Sequence, residues 1–85
     1  MQTTGTTIKA FVEHIVSNII DHPDRLNLSI LESDSMVVIE MTCAPEDVGK
    51  VIGREGRMAL ALRVLVNALA TKLGKKAILQ ILERN

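Results

Sequence analysis

No tryptophan or tyrosine occurs among the 85 residues, and phenylalanine occurs once, at Phe11. A core must therefore be built from Ile, Leu, Val, Ala and Met, and the stacking of planar ligands on aromatic side chains is nearly excluded. Cys43 is the single cysteine, so no intramolecular disulfide can form, and the usage fits a reducing cytosol. It reads as a buried small hydrophobe rather than a reactive thiol. No export signal and no run of about 18 apolar residues is found, so neither secretion nor membrane spanning is expected. Only two histidines are present, His14 and His22, and neither has cysteines or carboxylates at metal-ligand spacing. No Ser-His or Cys-His pairing is suggested, and we expect no catalysis, no metal and no cofactor.

Eighty-five residues with 47% hydrophobic content make one domain with a modest core, too short for a multi-residue active site beneath a lid. The net charge of zero conceals a segregation. The first 49 residues carry two bases, Lys9 and Arg25, against eight acids, whereas residues 50–76 carry seven bases against Glu55 alone. The molecule is expected to be polar, with a positive end around residues 50–57. For Lys72, Lys75 and Lys76, simple solvation of a helix end is an equally good reading.

Residues 1–7, rich in threonine, read as a flexible polar leader whose last threonine can cap a helix, and residues 8–85 as the domain. Ile8, Phe11, Val12, Ile15, Val16, Ile19 and Ile20 recur at steps of three and four, the spacing of an amphipathic helix. It should stop near Asp21, because His22 precedes Pro23. Leu26, Leu28 and Ile30 alternate with polar residues, and the run 36–43 is rich in Val, Ile and Met. These read as a hairpin in which Val37, Ile39, Met41 and Cys43 face the core. Pro45, with Glu46 and Asp47 behind it, opens a short helix running to Ile52. A long helix over 59–73 and a strand over 77–82 complete the chain. The expected class is α+β, in the order α-β-β-α-α-β, with a three-stranded mixed sheet and three helices on one face.

Between the two later helices stands Gly53-Arg54-Glu55-Gly56, with Lys50 before it and Arg57 after it. Gly53 can take the left-handed conformation that ends a helix, and Gly56, lacking a Cβ, permits a sharp turn and close approach of a phosphate. The long helix begins just beyond, so its N–H groups and positive dipole end face the turn. Lys50, Arg54 and Arg57 can each pair with a phosphate, while Glu55 opposes them. A bare Gly-x-x-G is more often a structural turn than a binding loop, and here it lacks the further glycine and Lys-Ser/Thr of a P-loop. Its placement after a strand and a short helix, and before a long one, reverses that preference. Gly49 inside the short helix costs about 1 kcal/mol relative to alanine, and suits a place where a backbone or ligand comes close.

The element order resembles the type II KH fold, and residues 44–57 followed by Ala61-Leu62-Arg63 resemble the small stand-alone bacterial KH proteins, the KhpA family. His22-Pro23-Asp24 is also similar to that family. The resemblance implies a cytoplasmic single-stranded RNA-binding protein, a post-transcriptional regulator or RNA chaperone. It also implies pairing with itself or with a larger KH-containing protein of the KhpB (Jag, EloR) type, and effects on RNA levels and cell-envelope growth. By the same resemblance Gly53, Arg54, Glu55 and Gly56 clamp the RNA backbone, with Lys50 and Arg57 flanking. Val48, Gly49 and Ile52, with Met58 or Ala61, then form one wall of an aliphatic groove for about four nucleotides. For Val48, Ile52, Met58 and Ala61, plain core filling is an equal alternative.

From residue 58 to 73 the long helix has only Arg63, Asn67, Thr71 and Lys72 as non-apolar positions, a stripe narrower than a surface helix needs. An 85-residue domain cannot bury a helix on all sides, so a second apolar face meeting another chain is expected. Arg63 is too far round from Arg57 to share its face fully; a plain structural role is the stronger reading for it, with contact to a partner the alternative. On these grounds the alternative function is a protein-interaction module with little RNA binding of its own.

Overall fold

In the computed structural model, which describes residues 4–82, the apolar alternation after Ser35 becomes β2 (Met36–Thr42), the middle strand of a three-stranded sheet. Val37, Ile39 and Met41 are fully buried on one face, and Val38, Glu40 and Thr42 are half-buried on the other. β1 (Asn27–Glu32) pairs antiparallel with β2, setting Leu28 opposite Met41 and Ile30 opposite Ile39. β3 (Lys76–Ile81) pairs parallel on the other side, with Ala77 opposite Val37 and Leu79 opposite Ile39. A hairpin suffices for the first connection. The parallel one requires a crossover, and the chain supplies it through two helices.

Three helices complete the expected order: α1 (Thr4–Ser17), α2 (Val48–Ile52) and α3 (Arg57–Lys72). Ile8, Val12 and Val16 of α1, Val51 of α2, and Leu62, Val66 and Ala70 of α3 close over the inner sheet face in one cluster. Each large aliphatic side chain so buried contributes about 1.5–3 kcal/mol. No buried side-chain polar atom lacks a hydrogen-bond partner among the described residues. None of the helices there is long and apolar enough to cross a membrane, and no three or more His, Cys, Asp or Glu side chains among the described residues are grouped so as to hold a metal ion.

Several boundaries differ from those expected. α1 begins at Thr4, so part of the polar leader is helical, while residues 1–3 lie outside the described residues. The cause is a tertiary contact: the Gly5 N–H donates to Glu32 Oε1 at 3.1 Å, and a Cβ on Gly5 would lie 2.6 Å from that oxygen and 2.8 Å from Ile30 Cγ2. Glu32 also accepts from Lys75 Nζ at 2.5 Å, so one carboxylate ties the start of α1, the end of β1 and the turn before β3. α1 ends at Ser17 rather than near Asp21. Ser17 Oγ and Asn18 Nδ2 both donate to the His14 carbonyl, the local competition by which such side chains break a helix. Pro45–Asp47 is a 3-10 turn ahead of α2, and Cys43, just past β2, is half-buried. Arg63 is exposed, and its Nε donates to the Leu79 carbonyl of β3 at 3.2 Å, a contact within the chain that the spacing did not show.

Candidate nucleic-acid interface

The Gly53-to-Gly56 segment joins α2 to α3 as a tight turn over Arg54–Gly56 that departs from right-handed helical geometry. Gly53 has φ 80° and ψ 174°, a region open essentially to glycine alone. Its N–H closes α2 onto the Gly49 carbonyl at 2.8 Å. A Cβ at Gly53 would meet Met58 Cβ at 2.6 Å and Met58 N at 2.7 Å, so α3 starts directly against this glycine. Gly56 is left-handed at φ 76° and ψ 11°, yet a Cβ there would meet nothing within 4 Å. Backbone shape, not crowding, calls for glycine at 56, and the space beside it is open. Glu55 is also left-handed, at φ 57° and ψ 26°, a conformation costly for a residue with a Cβ.

Gly49 is exposed, and a Cβ there would also meet nothing within 4 Å. Among the described residues, none uses the close approach that an interior glycine permits. Val48, Ile52 and Met58 are half-buried, Met58 packing against the core, whereas Ala61 is exposed. The first three therefore present partial apolar surface beside the turn. Ala61 stands with Leu60, Val64 and Leu65, which are 63%, 59% and 46% exposed on α3.

The three bases differ in availability. Lys50 Nζ lies 2.9 Å from Asp21 Oδ2 and 4.0 Å from Asp47 Oδ1. Arg57 Nη2 is 4.0 Å from Glu55 Oε2, both side chains about three-quarters exposed. Among the described residues no ion pair engages Arg54, which stands exposed at the turn. The positive end expected from the sequence is thus partly neutralised, and Arg54 is its most available charge. The hydrogen bond and charge of Asp21 raise the basicity of Lys50 against the opposing effect of burial.

Asp47, assigned only to the dipole of its own helix, has a different task. It stands at the N-cap of α2 without capping it, and its side chain is fully buried. Oδ1 accepts the Asp21 N–H at 3.0 Å and Oδ2 the His22 N–H at 2.9 Å. Burial pushes this carboxyl up, but the two N–H bonds, with the charges of His22 and Lys50, outweigh it and hold it below the ordinary aspartate value. Glu46 reaches the same loop, with Oε2 at 3.5 Å from His22 Nε2 and 4.0 Å from Arg25 Nη1. The loop after α1 is therefore stitched to the start of α2. A Pro-Glu-Asp turn and a His-Pro turn were visible in the sequence, but nothing there paired them. Burial and the nearby Asp47 charge push the Cys43 thiol up, which keeps it protonated.

The family model for the KhpA/KhpB KH domain matches residues 9–81. The chain is 38% identical over 78 residues to the RNA-binding protein KhpA of Aquifex aeolicus, covering 92% of this chain and 99% of that one. It is 42% identical over 76 residues to KhpA of Halalkalibacterium halodurans, covering 89% and 100%. With KhpA of Borreliella burgdorferi it shares 36% over 83 residues, covering 98% and 100%. No solved structure matches it. With the α-β-β-α-α-β order and the glycine-bounded turn in place, the match across nearly the whole chain makes this protein a member of the KhpA/KhpB family of KH domains.

Proposed function

We propose that this protein binds single-stranded RNA without catalysis, gripping the sugar-phosphate backbone at Gly53, Arg54, Glu55 and Gly56. The observation that carries this reading is the open turn. Gly53 is fixed against Met58, a Cβ on Gly56 would meet nothing within 4 Å, and Arg54 is exposed at the same point with no ion pair among the described residues, ahead of the positive end of α3. Val48, Gly49, Ile52 and Met58 offer an aliphatic wall for about four nucleotides, and Lys50 and Arg57 flank the phosphates. The relatives named as RNA-binding proteins support the same assignment.

A second copy of this chain, or a related KH domain, is proposed to cover the outer face of α3. Leu60, Val64 and Leu65, with Ala61 and Ala68 between them, form an exposed apolar strip that a monomer would leave in water. Dimerisation and RNA binding reinforce each other, because two weak grooves on one strand raise avidity through effective concentration. In this reading the protein acts in the cytoplasm as a regulator or chaperone of RNA.

The test is binding of short single-stranded RNAs at low and moderate salt. Micromolar-range affinity that falls with salt is expected, and replacing Arg54 and Glu55 by two aspartates should abolish it while leaving the circular-dichroism spectrum intact. A wild type that binds no RNA at low salt would leave the interaction module as the function.

A further inference from the structure

Lys50 sits between two carboxylates of opposite character. Asp47 is fully buried, and both its oxygens are taken by loop N–H groups, so it cannot leave. Asp21 holds Lys50 more closely, at 2.9 Å, yet its side chain is 67% exposed, and only its backbone N–H is needed to anchor the loop. One acid near the ammonium is buried and fixed, and the other is exposed and replaceable. A phosphodiester carries the same single negative charge, spread over two accepting oxygens, as the Asp21 carboxylate.

We propose that Asp21 occupies at Lys50 the place of an RNA phosphate, so that RNA must displace its carboxylate and Asp21 sets how tightly the backbone is held. The inference rests on the RNA-binding reading above. It makes Asp21, some thirty residues before the glycine turn, an affinity-determining residue that does not itself attract the ligand. When Asp21 swings away, the fixed Asp47 carboxylate 4.0 Å from Nζ remains as the charge beside Lys50. Because an exposed ion pair is weak, the competition lowers affinity by a small factor and leaves RNA able to win.

The experiment is a double-mutant cycle on the full chain, read by fluorescence anisotropy with a short labelled single-stranded RNA at several salt concentrations. Asp21→Asn should tighten binding about two- to fivefold at low salt and steepen the salt dependence by up to about one ion, since Lys50 is released for a phosphate. In a Lys50→Gln background the same substitution should change affinity by less than about twofold. Asp21→Ser repeats the test with a side chain that cannot imitate the carboxamide. Unchanged or weaker binding by both Asp21 variants, with wild type still binding, would overturn the proposal. Equal tightening with and without Lys50 would also overturn it, because general charge repulsion would then suffice. If neither wild type nor either variant binds RNA, the RNA-binding reading itself falls and takes this inference with it.

Discussion

The His22 N–H donates to Asp47 Oδ2 at 2.9 Å across 25 residues of chain, and the neighbouring Asp21 N–H takes the other oxygen. This carboxylate fixes the start of α2, and with it the direction in which Gly53 and Arg54 are presented. Asp47→Ala would leave two partly buried N–H groups without their acceptor. A fall in Tm of about 5–10 °C is expected, measured by thermal denaturation at neutral pH.

The same group makes stability depend on acid. Its folded pKa lies below the unfolded one, so between the two the unfolded chain binds more protons. The stabilisation is complete above the ordinary aspartate range and is lost as pH falls below about 4 through the folded value. Wild type should therefore lose stability on acidification more steeply than Asp47→Asn, in urea midpoints collected from pH 6 to pH 3. Parallel curves would show that other carboxylates carry the acid response.

The two glycines should respond differently. Gly53→Ala drives a methyl into Met58, including its backbone nitrogen, at a φ that L residues rarely adopt. Gly56→Ala meets only the conformational penalty, about 1–2 kcal/mol. Urea unfolding should show the first variant losing more than about 2 kcal/mol and clearly more than the second.

Glu55 carries a charge of the same sign as a phosphate, and its left-handed backbone is costly to the fold. Asparagine tolerates that conformation better and carries no charge. Glu55→Asn should raise stability by about 0.5 kcal/mol and tighten RNA binding, as read by denaturant titration and anisotropy.

The strip on α3 gives a separate test. Val64→Glu places a charge where the side chain is 59% exposed, so the monomer should fold normally. Sedimentation should show wild type as a dimer at micromolar concentration and the variant as a monomer. A wild type that stays monomeric across the concentration range would remove the proposed interface.

Much of this architecture was legible because local and global signals agreed. The alternation at Val37, Ile39 and Met41 and the helical spacing at Ile8, Val12 and Val16 each named their buried face correctly, since period alone decides which residues share a side. The glycine turn was legible because its two glycines stand between a short helical pattern and a long one. What escaped involved partners distant in sequence. Thr4 to Thr7 look like a frayed leader until Glu32 meets Gly5, and Arg63 looks free until the Leu79 carbonyl is found beside it. Lys50 counted as an available base because nothing local places Asp21 against it. Asp47 looked like a dipole residue because burial of a carboxylate leaves no mark on local spacing.

Amide chemical shifts of the labelled protein, followed during titration with a short mixed-sequence single-stranded RNA, test the central claim most directly. The largest shifts are expected at Gly53, Arg54, Glu55, Gly56 and Arg57, with smaller ones at Gly49 and Lys50. Shifts confined to the outer face of α3, or no shifts at any RNA concentration, would contradict the account.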